Sequence, residues 1–143
     1  MYDTFSGGLI FIIVLGTISY LLDVMNAKEK YEKCIRNKFV QTFHWCHHVL
    51  NIYCLTGWLF YSPIFLIPFL IFPYVLVMQW TMNDSKCVGT QYVYNQCQIP
   101  EYEPLRDIIK FTGLKDWEHF PLIHRCSVIL FSCIASYKLM HIM

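Results

Sequence analysis

A chain of 143 residues holds one domain at most, and this one has a net charge of +1 and a mean hydropathy of +0.40. Only 15% of its residues are charged, against about 25% in ordinary soluble chains, while 56% are hydrophobic and 17% aromatic. That balance lacks the concentrated basic surface that phosphate binding needs, so nucleic acid is not an expected partner. No Gly-rich phosphate loop, G-x-S-x-G elbow or H-E-x-x-H pair occurs.

The chain begins Met1-Tyr2-Asp3, with an acid where a secretory signal carries bases, so the first apolar stretch reads as a retained membrane anchor. Thr4 to Leu22 is free of charge and gives a first crossing over about residues 5–22. Gly8 and Gly16 lie on nearly one helical face, where small residues let a second helix come close. Asp23 to Lys38 is polar and helix-friendly, with Glu29 and Lys33 paired at i,i+4. Its Lys28–Lys38 part carries five bases and two acids. Cys34 in this segment is a candidate for palmitoylation.

From Phe39 to Asn83 there is no Asp, Glu, Lys or Arg over 45 residues. As one straight helix the run would be about 68 Å long, against a hydrocarbon core of about 30 Å, so it suits two crossings. Tyr61-Ser62-Pro63 breaks it, which predicts crossings over about 40–60 and 64–82 joined as a tight antiparallel hairpin. Pro63, Pro68 and Pro73 make the second of these irregular. Tyr53, Trp58, Tyr61, Tyr74 and Trp80 are suited to the membrane interfaces.

The polar segment 84–119 has six acids and four bases between Asp84 and Glu118, and a predicted short amphipathic helix from Leu105 to Phe111 ended by Gly113. A last crossing covers about 120–138, with His124 and Arg125 near its start and Lys138 placed to snorkel at its end. The expected fold is all-α: an integral membrane protein of about four transmembrane helices, one domain over 1–143, with a central short-turn hairpin and one long polar loop. The polar segments 23–39 and 84–119 then share one face of the bilayer, and the positive-inside rule makes that face cytoplasmic.

The sharpest chemical cluster is His44-Trp45-Cys46-His47-His48. Positions 44, 47 and 48 sit at i, i+3 and i+4, and Asn51 continues the polar stripe. Three imidazoles could ligate a metal, with His119, His124 or Cys46 as further donors. The H-x-x-H-H spacing resembles a histidine box of membrane fatty-acid elongases and desaturases, whose other motifs are missing here. The nearest acids in sequence are Glu32 and Asp84, which argues for packed or interfacial histidines and no resident cofactor. Of the seven cysteines, Cys46, Cys54, Cys126 and Cys133 lie in predicted helices as small hydrophobes. Cys87 and Cys97 are a candidate disulfide, which a reducing cytosol would oppose. The sequon Asn83-Asp84-Ser85 abuts a crossing and is discounted.

Trp80, Asn83, Cys87 and Thr90 form W-x-x-N-x-x-x-C-x-x-T at the exit of a crossing. With His48 to Trp58, this resembles a pattern over about residues 40–95 in small multi-helix membrane proteins of bacteria and of large double-stranded DNA viruses. Gly89 and Val93 depart from the usual Leu and acid of that pattern. For the motif itself the expected role is structural: Trp80 as anchor, Asn83 as helix cap, Gly89 as turn, and Cys87 and Thr90 on a loop folded back on the bilayer.

The viral members imply a virion inner-membrane or minor capsid protein that links bilayer to protein shell. Its partners would be lipid, membrane or capsid proteins meeting residues 84–119, and further copies of itself. Two other functions remain open: a metal protein or enzyme built on His44, His47 and His48, and a proton or ion channel subunit lined by these residues and Asn51.

Overall fold

A computed structural model describes residues 2–26, 31–34, 36–84, 86–99 and 120–142, the side chains of 2–4, 120, 121, 124 and 125 excepted. The described elements are all helical. They are α1 (Tyr2–Asn26), α2 (Lys38–Thr56), a 3-10 turn (Gly57–Leu59), α3 (Pro63–Phe69), α4 (Phe72–Met82), α5 (Val88–Cys97) and α6 (Phe120–Ile142). The expected Leu105–Phe111 helix lies outside the described residues.

Local chemistry sets the boundaries. Asn37 caps α2, its side chain accepting from the Phe39 and Val40 amides at 3.1 and 3.3 Å. Pro63 opens α3 at a position where a missing N–H costs nothing. Pro73 cannot donate to the carbonyl four residues back, so helix 63–82 breaks at Leu70–Ile71 and restarts as α4. The irregularity expected from the three prolines is therefore one full interruption. Helix α6 runs on to Ile142, past the expected 138, and other elements differ from expectation too. Helix α1 runs on to Asn26 and so takes in Asp23. Helix α2 stops at Thr56 and tightens into the 3-10 turn. Residues 88–97, expected as loop, form α5.

The closest helix pair is α1 with α2, running antiparallel. A stripe of Gly8, Ile12, Gly16, Ser19 and Asp23 is buried along α1. It faces Val40, His44, His48 and Ile52, the buried stripe of α2. Glycine is required at the crossing point, where a Cβ on Gly16 would lie 2.7 Å from the Val49 Cα. Gly16→Val should therefore push the two backbones apart. The expected loss is about 1–3 kcal/mol by the ordinary cost of overpacking, read as a lower denaturation midpoint in detergent. An unchanged midpoint would show that the helices can part freely.

The expected 40–60/64–82 hairpin makes its contacts near the turn. The Tyr53 hydroxyl donates to the Phe65 carbonyl at 2.6 Å, and its ring meets Phe69 and Phe72. Helix α6 closes this end: Leu66, Phe69 and Ala135 are fully buried, and Trp58 stacks on Phe131 at 4.5 Å. Lys138 donates to the Trp58 and Leu59 carbonyls at 2.9 and 3.2 Å and stands 4.3 Å over the Tyr61 ring. It thus ties α6 to the 3-10 turn.

At the opposite end, Cys34 and Cys97 form a disulfide, while Cys87 carries a free thiol. This corrects the expected Cys87–Cys97 pairing, and it removes Cys34 as a palmitoylation site. The reason is helical geometry. Cys87 and Cys97 lie at opposite ends of α5, about 15 Å apart at the helical rise per residue. Around the bond, Tyr31, Val40, Val93 and Tyr94 are buried together, so the 31–34 turn, the start of α2 and all of α5 form one closed end.

Two helical stretches, Phe5–Asn26 and Pro63–Met82, are long and apolar enough to cross a membrane, and Cys126–Ile142 is a shorter apolar helix.

Candidate functional site

Helices α1 and α2 meet at three buried ionisable side chains: Asp23 at 1% exposure, His44 at 3% and His48 at 0%. Both imidazoles turn Nε2 toward one carboxylate oxygen, with Asp23 Oδ2 to His44 Nε2 at 2.9 Å and to His48 Nε2 at 3.4 Å. The two Nε2 atoms are 3.2 Å apart. Ser19, one turn before Asp23 on α1, engages His48 Nδ1 at 3.0 Å. The Tyr31 hydroxyl donates to Asp23 Oδ2 at 2.9 Å. Burial, and then the Asp23 charge, push that hydroxyl above the ordinary tyrosine range, so it stays a donor. The Tyr20 ring meets both imidazoles edge-on, at centroid distances of 5.2 and 6.0 Å.

The sequence reading had His44, His47 and His48 on one face and no acid at hand. The structure divides them. At about 100° per residue, His47 and His48 point to different neighbours. His44 and His48 face α1, where Asp23 is the missing acid. His47 faces α5, with Nε2 3.5 Å from Cys87 Sγ. Asn51 is half-buried and makes no hydrogen bond to the cluster, and Cys46 is exposed. His119 and the His124 side chain lie outside the described residues. A signal for Asp23 did exist in the sequence: Gly8, Ile12, Gly16, Ser19 and Asp23 recur at four- and three-residue steps, the stripe of a helix that packs closely on another.

The four motif residues come together around Cys87. Burial alone would raise the Cys87 thiol, but its hydrogen bond and charge interaction with His47 outweigh that. A backbone hydrogen bond at Thr90 and one from the Trp80 side chain add to it, and the thiol falls to about 6. Asn83 follows α4 at its C-terminal end and donates to the Lys86 carbonyl and to Gln91 Oε1, both at 2.8 Å. Gly89 is no turn residue: it sits inside α5, and a Cβ there would meet the His47 ring at once. Cys87 likewise sits at the N-cap of α5 and Thr90 within it, so neither is on a loop. Since the thiolate predominates above pH 6, iodoacetamide should still alkylate Cys87 near neutral pH, with its rate falling by half at about pH 6. His47→Ala should move that midpoint up, because the burial that raises the thiol then loses its main opponent. A wild-type midpoint above pH 8 would contradict the pairing.

Asp23, His44 and His48 are the described residues that could jointly hold a metal ion. Between them and the disulfide lies a cavity of about 20 Å3, lined by Tyr20, Tyr31, Cys34, Gln41 and His44 among others. It has room for about one water molecule. Chemically the cluster can hold an ion, or share protons among Ser19, Asp23, Tyr31, His44 and His48.

Comparison with protein-family models, curated proteins and solved structures returns no match. The resemblance to small membrane proteins rests on the Trp80, Asn83, Cys87 and Thr90 motif together with His48 to Trp58.

Proposed function

We propose that the chain is a multi-pass membrane protein of four crossings, α1, α2, α3–α4 and α6, with a structural role. One observation carries the membrane reading. Only 28% of the apolar window in Phe5–Asn26 and 22% of that in Pro63–Met82 is buried. A core helix of a soluble protein would bury most of such a stretch. Here Ile10, Val14, Ile64, Ile71, Val75 and Met78 face outward, as lipid-facing residues do.

The Cys34–Cys97 bond supports a further step. It joins the two polar segments, 23–39 and 84–119, at one end of the bundle. Charge bias would put that end in the cytoplasm, whereas disulfides persist on oxidising sides of membranes. The bond is the stronger argument, because charge bias is a statistical preference, whereas a structural disulfide forms and persists in an oxidising compartment. The polar end accordingly stands on the oxidising side, as a stapled platform. Its partners are other membrane proteins or, following the motif resemblance, the proteins of a shell laid on the bilayer.

The test uses vesicles from cells expressing the full chain. The protein should stay in the membrane through alkaline carbonate extraction. After reduction, an impermeant maleimide should label Cys34 and Cys97 only from the oxidising side. Extraction into the soluble fraction would sink the membrane reading. Labelling from the cytosolic side would reverse the orientation. For the platform, crosslinking in the native membrane should join residues 84–119 to a partner protein. Crosslinks confined to lipid would remove the structural role.

A further inference from the structure

The geometry points to a binding site for one divalent first-row transition ion, held by Asp23 Oδ2, His44 Nε2 and His48 Nε2. The three atoms form a triangle with edges of 2.9, 3.2 and 3.4 Å. An ion at the roughly 2.0–2.1 Å usual for zinc bound to imidazole or carboxylate reaches all three from about 1 Å outside their plane. Such a triangle is one face of a tetrahedron or octahedron around the metal.

Only one ring N–H fits inside this triangle. With His48 protonated at Nδ1 toward Ser19, a His44 Nε2–H is shared between Asp23 Oδ2 and His48 Nε2, whereas two N–H groups aimed at that oxygen would collide between nitrogens 3.2 Å apart. A cation takes the place of that hydrogen and meets both nitrogen lone pairs and the carboxylate charge at once. The second layer is also built for ligation. Ser19 engages the far nitrogen of His48, and Tyr31 steadies the carboxylate oxygen, the outer contacts that orient metal-bound imidazole and carboxylate. Two imidazoles with one carboxylate select a zinc-, iron- or cobalt-like ion over calcium or magnesium. Three protein ligands leave a position open to a small ligand, and a cavity with room for about one water molecule is lined by His44 and Tyr31.

The full-length protein, purified in detergent, stripped with chelator and reloaded with zinc or cobalt, tests this. One equivalent of metal should stay bound through gel filtration. Zinc X-ray absorption should give a first shell of nitrogen and oxygen only, with the outer scattering of two imidazoles. Cobalt should give d–d bands without a thiolate charge-transfer band. Ser19→Ala should weaken affinity roughly 10-fold, the usual cost of losing an outer contact. His44→Ala should abolish binding, and His47→Ala should leave it unchanged. Failure to retain one equivalent, sulfur in the first shell, or wild-type affinity in folded His44→Ala would each overturn the site. The absorption spectrum of the unmodified protein decides the matter if the variants do not fold.

Discussion

Replacing Cys34 and Cys97 together by serine should lower the stability of the detergent-solubilised protein by about 2–4 kcal/mol. The bond spans 63 residues of sequence, and chain entropy for a loop of that size gives about 4 kcal/mol. The lower figure allows for an unfolded state that keeps its helices in the apolar phase, where the loop has less freedom to lose. The damage should be local. Helix α5 and the 31–34 turn are held to α2 by the bond and by Tyr31, Val93 and Tyr94, so α5 amides should exchange faster while α6 keeps its protection. A reductant titration of the wild-type protein should reproduce the shift. Equal midpoints with and without reductant would show that the bond adds nothing. A Cys87-containing disulfide peptide in the mass spectrum would show a different pairing.

Asp23→Ala should be among the most damaging single substitutions, at about 3–5 kcal/mol, the usual loss when one partner of a buried ion pair is removed, and no less than the roughly 1–3 kcal/mol of a buried hydrogen-bonding group left without its partner. It strands His44, His48 and the Tyr31 hydroxyl together in a buried site. The informative comparison is the triple variant Asp23→Leu, His44→Leu, His48→Leu. If the cluster exists for binding rather than for stability, an apolar replacement of similar volume should recover most of the loss, because no desolvated group remains. Chemical denaturation of the three proteins measures this directly. A triple variant less stable than Asp23→Ala would mean that the polar network itself holds α1 to α2.

Both expectations concern contacts that the sequence prepared without disclosing. The apolar runs, the proline break and the helix-capping Asn37 are local signals, and helices follow local signals because their hydrogen bonds close within four residues. The break at Leu70–Ile71 follows from Pro73 alone. The pairing of His44 with His48 follows from the helical period. The separation of His47 was legible in the same period, at about 100° from His48, but its meaning needed the neighbours.

What only the tertiary structure decided is which distant groups meet. Asp23 lies 21 residues before His44, and Cys97 lies 63 after Cys34. Such pairings depend on the crossing of α1 over α2 at Gly16 and on where α5 docks. Neither can be read from a period within one helix. By itself the sequence determined a helical chain with long apolar runs, its polar mass in two segments and His44, His47 and His48 together on one helix. Tertiary packing decided that one acid and two of those histidines are buried together, that the third histidine serves Cys87, and that a disulfide closes the end above them. Local hydrogen bonding builds helices, whereas non-local packing chooses their partners.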